Sequence, residues 1–196
     1  KHCDNVVLFN EGRIVDFGRP EDVINDENIE KAYNVNAIVY KNPFGIFDIE
    51  IIQRQEIAKK HVHVVCGGGV AQKVFKVLVE KGYEVSTGVL ETNDSDFELA
   101  QLYKIYTVFA RPFSPISEDE YIKNIEMIKR ADFCVLCNIP FGIRNIKNLE
   151  ALRFAKKLFI IENTPIEERD FTNGYATYCY NLLKRNATIV DDIEKI

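Results

Sequence analysis

The spacing of hydrophobic and polar residues predicts a β-hairpin near the start of the chain. Residues 6–9 form a short apolar run, residues 10–12 supply Asn and Gly, and residues 13–17 alternate between apolar and polar types. Gly accepts the positive φ that tight hairpin turns require, and Asn is common beside it. The two apolar segments are therefore expected to pair as neighbouring strands.

Two short helices and a further strand are predicted after the hairpin. Pro20 suits the first turn of a helix that covers residues 21–24. Asp26 is expected to cap a second helix over residues 27–33, and residues 37–40 are strand-like. These elements are too few to form a core of their own, so we expect them to pack on other structure.

From residue 61 onwards, strand-like and helical patterns alternate about six times. The predicted strands lie at residues 61–68, 83–90, 106–112, 133–140, 158–163 and 187–191. Amphipathic helices are predicted between them, and Ser117 with Glu120 forms a capping box at the start of one. The alternation indicates an α/β fold, with a doubly wound, parallel, Rossmann-like sheet of about six strands and right-handed crossovers. Residues 41–60 are interpreted as a closing strand plus a connector.

Composition narrows the class of protein. The 196 residues are 46% hydrophobic, which is enough to bury a core, and the net charge of -5 argues against nucleic-acid binding. No apolar run approaches the roughly 18 residues of a membrane helix. Five scattered cysteines favour reduced thiols in a cytoplasmic protein. A chain that begins at Lys1 and has its one methionine at position 127 is expected to be a fragment.

Three segments in the first part occur in an order that carries a family resemblance. They are CDNVVLF at residues 3–9, the pattern EGRIV..G.PEDV at residues 11–23, and NIEKAYNV at residues 28–35. They resemble the C-terminal end of an ABC transporter ATP-binding subunit, of the importer type that handles iron-siderophores or cobalamin. The resemblance implies that residues 1–50 are the tail of a nucleotide-binding domain.

The same resemblance implies partners and a location for the parent protein. An upstream ATPase domain would bind ATP and Mg²⁺, and a permease subunit would hold the protein at the cytoplasmic face of the inner membrane. This chain has no G-x-x-x-x-G-K-[ST] motif, so we expect it to hydrolyse no ATP by itself. Whether it has another enzymatic activity is left open.

Residues 61–196 are similar to a Rossmann-like accessory domain found on some prokaryotic importer ATPases. The segments that carry this similarity are HVHVVCGGG, FSPIS and IEERDFTNG. The resemblance implies a domain whose role is poorly defined, and it carries over no catalytic residue.

The strongest candidate binding element is the turn formed by Gly67, Gly68 and Gly69. It joins a strand to a helix, where backbone N–H groups can meet an anion or a nucleotide-like ligand. It is an imperfect dinucleotide fingerprint, because Gln72 stands where a third glycine belongs. Glu91 follows at about the usual distance for a ribose contact. The alternative is a tight turn that binds nothing.

Other loops at the same edge of the predicted sheet are rich in polar side chains. The further candidate ligand-binding residues are Asp94, Asp96, Arg111, Ser114, Asn138 and Asn145. Asp94 or Asp96 could instead serve only as a helix cap. Three functions remain open: a regulatory or ligand-sensing domain, a nicotinamide-dependent oxidoreductase, and a structural module that forms homodimers.

Two further patterns contain residue types that bind metals in many proteins, but their positions do not favour a metal site. Cys134 and Cys137 form C-x-x-C inside an apolar strand, where side chains three apart point to opposite faces, so they are interpreted as core cysteines. His61 and His63 share one strand face but have no third ligand nearby in the sequence. No metal site is therefore predicted.

Overall fold

A computed structural model of the chain describes residues 3–42, 45–52 and 60–196. The chain divides into two compact units, Lys1–Gln55 and Glu56–Ile196. Within the described ranges, no helix is long and apolar enough to cross a membrane.

The first unit consists of two antiparallel hairpins and two short helices. Its elements are β1 (Val6–Asn10), β2 (Arg13–Gly18), α1 (Pro20–Val23), α2 (Asp26–Tyr33), β3 (Asn36–Lys41) and β4 (Phe47–Ile52). The predicted hairpin is present as β1 and β2, with Gly12 at a φ of 77° in its turn. β4 pairs with β3, so the segment interpreted as a closing strand forms a second hairpin.

The cap of α2 differs from the sequence-based expectation. Asn25, not Asp26, is the N-cap, because its side chain accepts a hydrogen bond from the backbone of Asn28. Asp26 begins the helix, and its carboxylate accepts a hydrogen bond of 2.7 Å from the Val39 N–H in β3. Asn and Asp are both common N-cap residues, so the local sequence allows either. The hydrogen bond that Asp26 accepts from β3 accounts for the choice of Asn25.

The second unit has six strands joined by helices. Its elements are β5 (His61–Val65), α3 (Gln72–Glu80), β6 (Glu84–Glu91), α4 (Ser95–Leu102), β7 (Tyr106–Ala110), α5 (Glu118–Arg130), β8 (Phe133–Leu136), α6 (Ile146–Ala151), β9 (Leu158–Ile161), α7 (Tyr175–Lys184) and β10 (Thr188–Val190). The predicted capping box at Ser117 and Glu120 is formed. Between β9 and β10, the helical part of the chain consists of a 3-10 turn at Ile166–Glu168 followed by α7.

The six strands form one parallel sheet in the order β10-β9-β8-β5-β6-β7. The predicted α/β fold with a parallel, Rossmann-like sheet is confirmed. The chain adds strands on one side of β5 and then on the other, so the order reverses between β5 and β8. In such sheets ligands bind outside the carboxyl ends of the strands near this reversal.

The core of the second unit follows its central strands. In β5 and β8, Val62, Val64, Val135 and Leu136 have no exposed surface. Strands buried on both faces have continuous apolar runs instead of alternation, which is what these segments show. The carboxyl ends of β5, β6, β7 and β8 are thereby held at one edge of a rigid sheet.

Candidate functional site

A cavity of about 790 Å³ opens at the carboxyl ends of the central strands. Its walls come from the segments that follow β5, β6, β7 and β8, together with Phe171. A volume of this size is typical of small-molecule sites. The position agrees with the edge at which sheets of this topology bind ligands.

The glycine turn after β5 forms one wall of this cavity, and its backbone requires glycine. Gly67, Gly68 and Gly69 have φ values of 153°, 71° and 82°. A Cβ on Gly67 would lie 3.2 Å from Asp94 Oδ2, and one on Gly69 would lie 3.1 Å from Ser95 Oγ. The glycines therefore allow both the positive φ values and a close approach to the start of α4.

The N–H groups of Gly68, within this turn, and of Ala71, after it, already have acceptors within the chain. The Gly68 N–H donates to both carboxylate oxygens of Asp94, at 2.9 and 3.1 Å, and the Ala71 N–H donates to Asp96 Oδ1 at 3.1 Å. Asp94 also caps α4 by accepting from the Asp96 N–H at 2.9 Å. The anion position expected at this turn is therefore filled by the chain's own carboxylates.

Asp96 is fully buried beneath this turn. Burial raises the pKa of its carboxyl group, and the nearby carboxylate of Asp94 acts in the same direction. The hydrogen bond from the Ala71 N–H opposes this rise by stabilising the charged form. Asp96 thus anchors the turn from below and does not line the cavity.

Glu91, the last residue of β6, connects the end of this strand to the loops that follow β7 and β8. Its carboxylate lies 3.1 and 3.2 Å from Nη1 of Arg144 and accepts a hydrogen bond of 3.0 Å from the Phe113 N–H. The guanidinium of Arg144 lies over the Phe113 ring, 5.5 Å from its centre. The segments after β6, β7 and β8 are therefore tied together at this point.

A second polar contact stabilises an irregular stretch of β6. The pairing of β6 with β7 shifts register between Thr87 and Leu90. Asn148 of α6 replaces the missing partners, because it donates to the Val89 carbonyl at 2.9 Å and accepts from the Val89 N–H at 2.7 Å. Asn124 of α5 donates to Asn148 at 3.1 Å. This places an asparagine side chain in the wall of the cavity.

Six of the ten sequence-predicted site residues line the cavity, and four do not. Those in its wall are Gly67, Gly68, Glu91, Asp94, Ser114 and Asn145. Those outside its wall are Gly69, Asp96, Arg111 and Asn138. Shared placement at one edge of the sheet thus brought most, but not all, of these residues together.

Asn138 and Asn145 have hydrogen-bond partners that explain their placement. Asn138 accepts from the N–H groups of Asn163 and Thr164, both at 3.2 Å, so it joins the ends of β8 and β9 beside a smaller cavity of about 230 Å³. Asn145 accepts from the Gly142 N–H at 2.8 Å and donates to the Pro140 carbonyl at 2.9 Å. Both stabilise loops, and Arg111 is exposed on the β7–α5 loop.

The thiol of Cys66 lies at the floor of the cavity and is buried. Burial raises its pKa well above the ordinary value for a cysteine. The thiol therefore stays protonated at neutral pH, whereas a nucleophilic cysteine needs its thiolate form. Burial therefore argues against a nucleophilic role for Cys66.

Among the remaining cysteine and histidine candidates, Cys134, Cys137 and His63 are buried, and His61 is half-buried. Cys134 is in β8 and Cys137 follows its last residue, so the two do not share one regular strand as expected, and both are buried. His61 Nε2 and His63 Nδ1 lie 2.8 and 2.9 Å from the same Ser86 hydroxyl. His63 is fully buried, and this burial lowers its pKa to about 3.

Sequence reasoning missed Asn148 and did not select Arg144. A buried asparagine on the apolar side of a predicted helix is a detectable signal, because such a group needs a specific partner. The pairing of Arg144 with Glu91 joins residues 53 apart in the sequence. Only the strand order brings these two side chains to the same opening.

The strand order and the cavity define an α/β domain of Rossmann-like topology with a ligand-sized opening at its carboxyl edge. The chain belongs to the MJ0874 family, which matches residues 85–196. It is also similar to the cobalamin import ATP-binding protein BtuD of Halobacterium salinarum, with 29% identity over 121 residues, which are 60% of this chain and 30% of that protein.

A second relative carries a related description. The uncharacterized ABC transporter ATP-binding protein MJ0873 of Methanocaldococcus jannaschii is 29% identical over 88 residues, which are 45% of this chain and 29% of that protein. The chain thus spans less than a third of the length of these curated relatives. These similarities support a relationship to ABC transporter ATP-binding proteins.

Proposed function

We propose that the chain is the C-terminal part of an ABC importer ATP-binding subunit. In this proposal residues 1–50 end the nucleotide-binding domain, and residues 61–196 form an accessory domain. The similarity to a cobalamin import ATP-binding protein supports it. The whole protein would bind ATP and Mg²⁺ upstream, contact a permease subunit, and work at the cytoplasmic face of the membrane.

The accessory domain binds a small molecule and thereby regulates the transporter. The observation that carries this proposal is the cavity at the carboxyl ends of β5 to β8, where Glu91 connects the end of β6 to the loops after β7 and β8. A ligand at this position contacts several loops at once, so its binding can change their arrangement. A ligand with different affinities for two arrangements shifts the balance between them.

A thermal-shift panel tests whether the cavity binds ligands. The panel contains nucleosides, nucleotides, nicotinamide dinucleotides, flavins and corrinoids, because a ligand that binds the native state raises its stability. Gly142→Phe is the blocking variant. Gly142 lines the cavity, and a Cβ placed there meets nothing within 4 Å, so a bulky side chain can enter the open space without a clash at its base.

Lys123→Phe is the matched control, since it adds the same ring on an exposed position of α5 outside the cavity. Binding by the wild type and by Lys123→Phe, but not by Gly142→Phe, would support the proposal. No binding by any compound, or binding that Gly142→Phe leaves unchanged, would contradict it.

The oxidoreductase alternative has less support from the geometry. Dinucleotide-binding domains place a pyrophosphate on the N–H groups at the start of the first helix. Here Asp94 and Asp96 accept the Gly68 and Ala71 N–H groups. Binding of a nicotinamide dinucleotide fits both functions, so hydride transfer to or from it is the measurement that distinguishes them.

A further inference from the structure

We infer that the cavity accepts uncharged ligands and excludes phosphorylated ones, and that Asp94 determines this specificity. The inference rests on the proposed ligand-binding function and adds the chemical class of the ligand.

The glycine turn has the geometry of an anion site, but a carboxylate of the chain already lies in it. Both oxygens of Asp94 accept the Gly68 N–H, at 2.9 and 3.1 Å. Asp94 Oδ2 also lies so close to Gly67 that an added Cβ would be 3.2 Å away. A phosphate at this turn would have to displace the carboxylate or lie beside a like charge, and both are unfavourable.

The only guanidinium or ammonium group in the described wall of the cavity is also engaged. Arg144 lies 3.1 Å from Glu91, so its charge is balanced before any ligand enters. Two carboxylates, those of Glu91 and Asp94, therefore face the cavity against one guanidinium. An anionic ligand would meet net negative charge, whereas an uncharged ligand would leave both existing arrangements intact.

The rest of the wall suits an uncharged ligand that carries hydroxyl or amide groups. Leu90, Ile116 and Ile139 provide apolar surface, and Asn93 and Ser114 provide hydrogen-bonding side chains. Small-molecule sites commonly combine apolar surface with polar groups that orient the ligand. Nucleosides and simple sugars have this chemistry, and each has a phosphorylated counterpart of nearly the same shape.

Pairs of uncharged ligands and their phosphorylated counterparts test the proposed chemical class of the ligand. Binding is measured for adenosine and AMP, for uridine and UMP, and for glucose and glucose 6-phosphate, with Gly142→Phe as the blocked control. We expect at least one uncharged member to bind at least tenfold more tightly than its phosphorylated counterpart, and to lose binding in Gly142→Phe. A phosphorylated member that binds the cavity equally well would overturn this inference and leave the proposed function standing. A panel in which nothing binds would overturn both.

Inorganic phosphate tests the role of Asp94 separately. Asp94→Ser removes the carboxylate and keeps a hydroxyl that can cap α4. We expect millimolar phosphate, at constant ionic strength, to raise the melting temperature of Asp94→Ser by a few degrees and to leave the wild type unchanged. Asp119→Ser is the charge-matched control, because Asp119 is exposed in the first turn of α5.

Two results would overturn the assignment to Asp94. One is a phosphate shift in the wild type as large as that in Asp94→Ser. The other is no shift in folded Asp94→Ser. If that variant does not fold, Asp94→Asn is used with the same expected direction, since it keeps a capping oxygen and loses the charge.

Discussion

His63 is a buried group whose ionisation opposes folding. It has no exposed surface, and burial lowers its pKa to about 3, with a smaller effect from His61 in the same direction. The unfolded chain therefore takes up a proton near pH 6.5, and the folded chain does not. The contribution of neutral His63 to the free energy of unfolding is fully present above pH 6.5, and it is lost as the pH falls towards 3.

The prediction is that His63→Gln makes unfolding less dependent on pH. In the wild type, the free energy of unfolding should fall by up to about 1.4 kcal/mol per pH unit below pH 6.5 because of this residue. Urea titrations between pH 4 and pH 8 measure the slope. His61→Gln is the control, because His61 is only half-buried and should change the slope less. Equal slopes in the wild type and in His63→Gln would show that His63 is not the cause.

Asp170 also loses its stabilising contribution as the pH falls, but in a lower pH range than His63. Burial alone would raise its pKa, but hydrogen bonds from the hydroxyl and N–H groups of Thr172 and Thr177, at 2.6 to 2.8 Å, lower it well below the usual range. These bonds hold the start of α7 beside Phe171, which lines the cavity. Their contribution is present above about pH 4 and is lost as the pH falls further.

Asp170→Asn should therefore lower the melting temperature at pH 7. Its amide nitrogen cannot accept the two hydrogen bonds that the replaced oxygen accepted. Below pH 4 the difference from the wild type should shrink, because the carboxyl group of Asp170 then gains a proton in the unfolded wild-type chain, and this favours unfolding. Thermal melts at pH 7 and pH 3 measure both differences. A difference in melting temperature that is the same at pH 7 and pH 3 would show that the Asp170 carboxylate is not the source of this pH dependence.

At the scale of secondary-structure elements, one side chain of α6, Asn148, supplies the hydrogen-bond partners of Val89 in the irregular stretch of β6. Asn148→Ala would leave the N–H and carbonyl of Val89 without their partners. An unsatisfied buried polar group costs about 1–3 kcal/mol, so the free energy of unfolding should fall by at least that amount. Lys147→Ala is the neighbouring control, since its contact with Glu118 is a surface ion pair worth less than about 1 kcal/mol. Chemical denaturation of the two variants measures the difference.

Local sequence patterns predicted the elements well where neighbouring residues decide the structure. The hairpin around Gly12 and the capping box at Ser117 depend on residues close in sequence, and both are present. The cap of α2 was misassigned because Asp26 bonds to Val39 in another element. The contact between Asp94 and Gly68 spans 26 residues, so no local pattern indicates that the turn is already filled.

For the whole molecule, alternation of strands and helices predicted a parallel sheet and the edge at which a site would form. It did not predict which strands are neighbours. The reversal between β5 and β8 places Arg144 within reach of Glu91 and leaves Asn138 beside the smaller cavity. Strand order depends on how distant segments pack together, and this explains why only part of the site could be predicted.

The second unit has a core large enough to fold by itself. Its buried apolar residues include every residue of β8, together with Phe75, Leu149 and Tyr180 from three helices. The first unit buries only Val23, Ile29, Ala32, Ala37, Ile38 and Ile52 among its described apolar residues. A compact unit of well over 100 residues is in the size range of independently stable domains. A unit of about 50 residues is a marginally stable domain.

We therefore predict that residues 60–196, produced alone, fold into a stable domain. The fragment should unfold in one cooperative transition by heat and by urea, and both circular dichroism and tyrosine fluorescence should report the same midpoint. Residues 3–52 alone should show a weak or gradual transition, because two hairpins and two short helices bury little apolar surface. A non-cooperative melt of residues 60–196 would mean that its sheet needs the preceding unit to be stable.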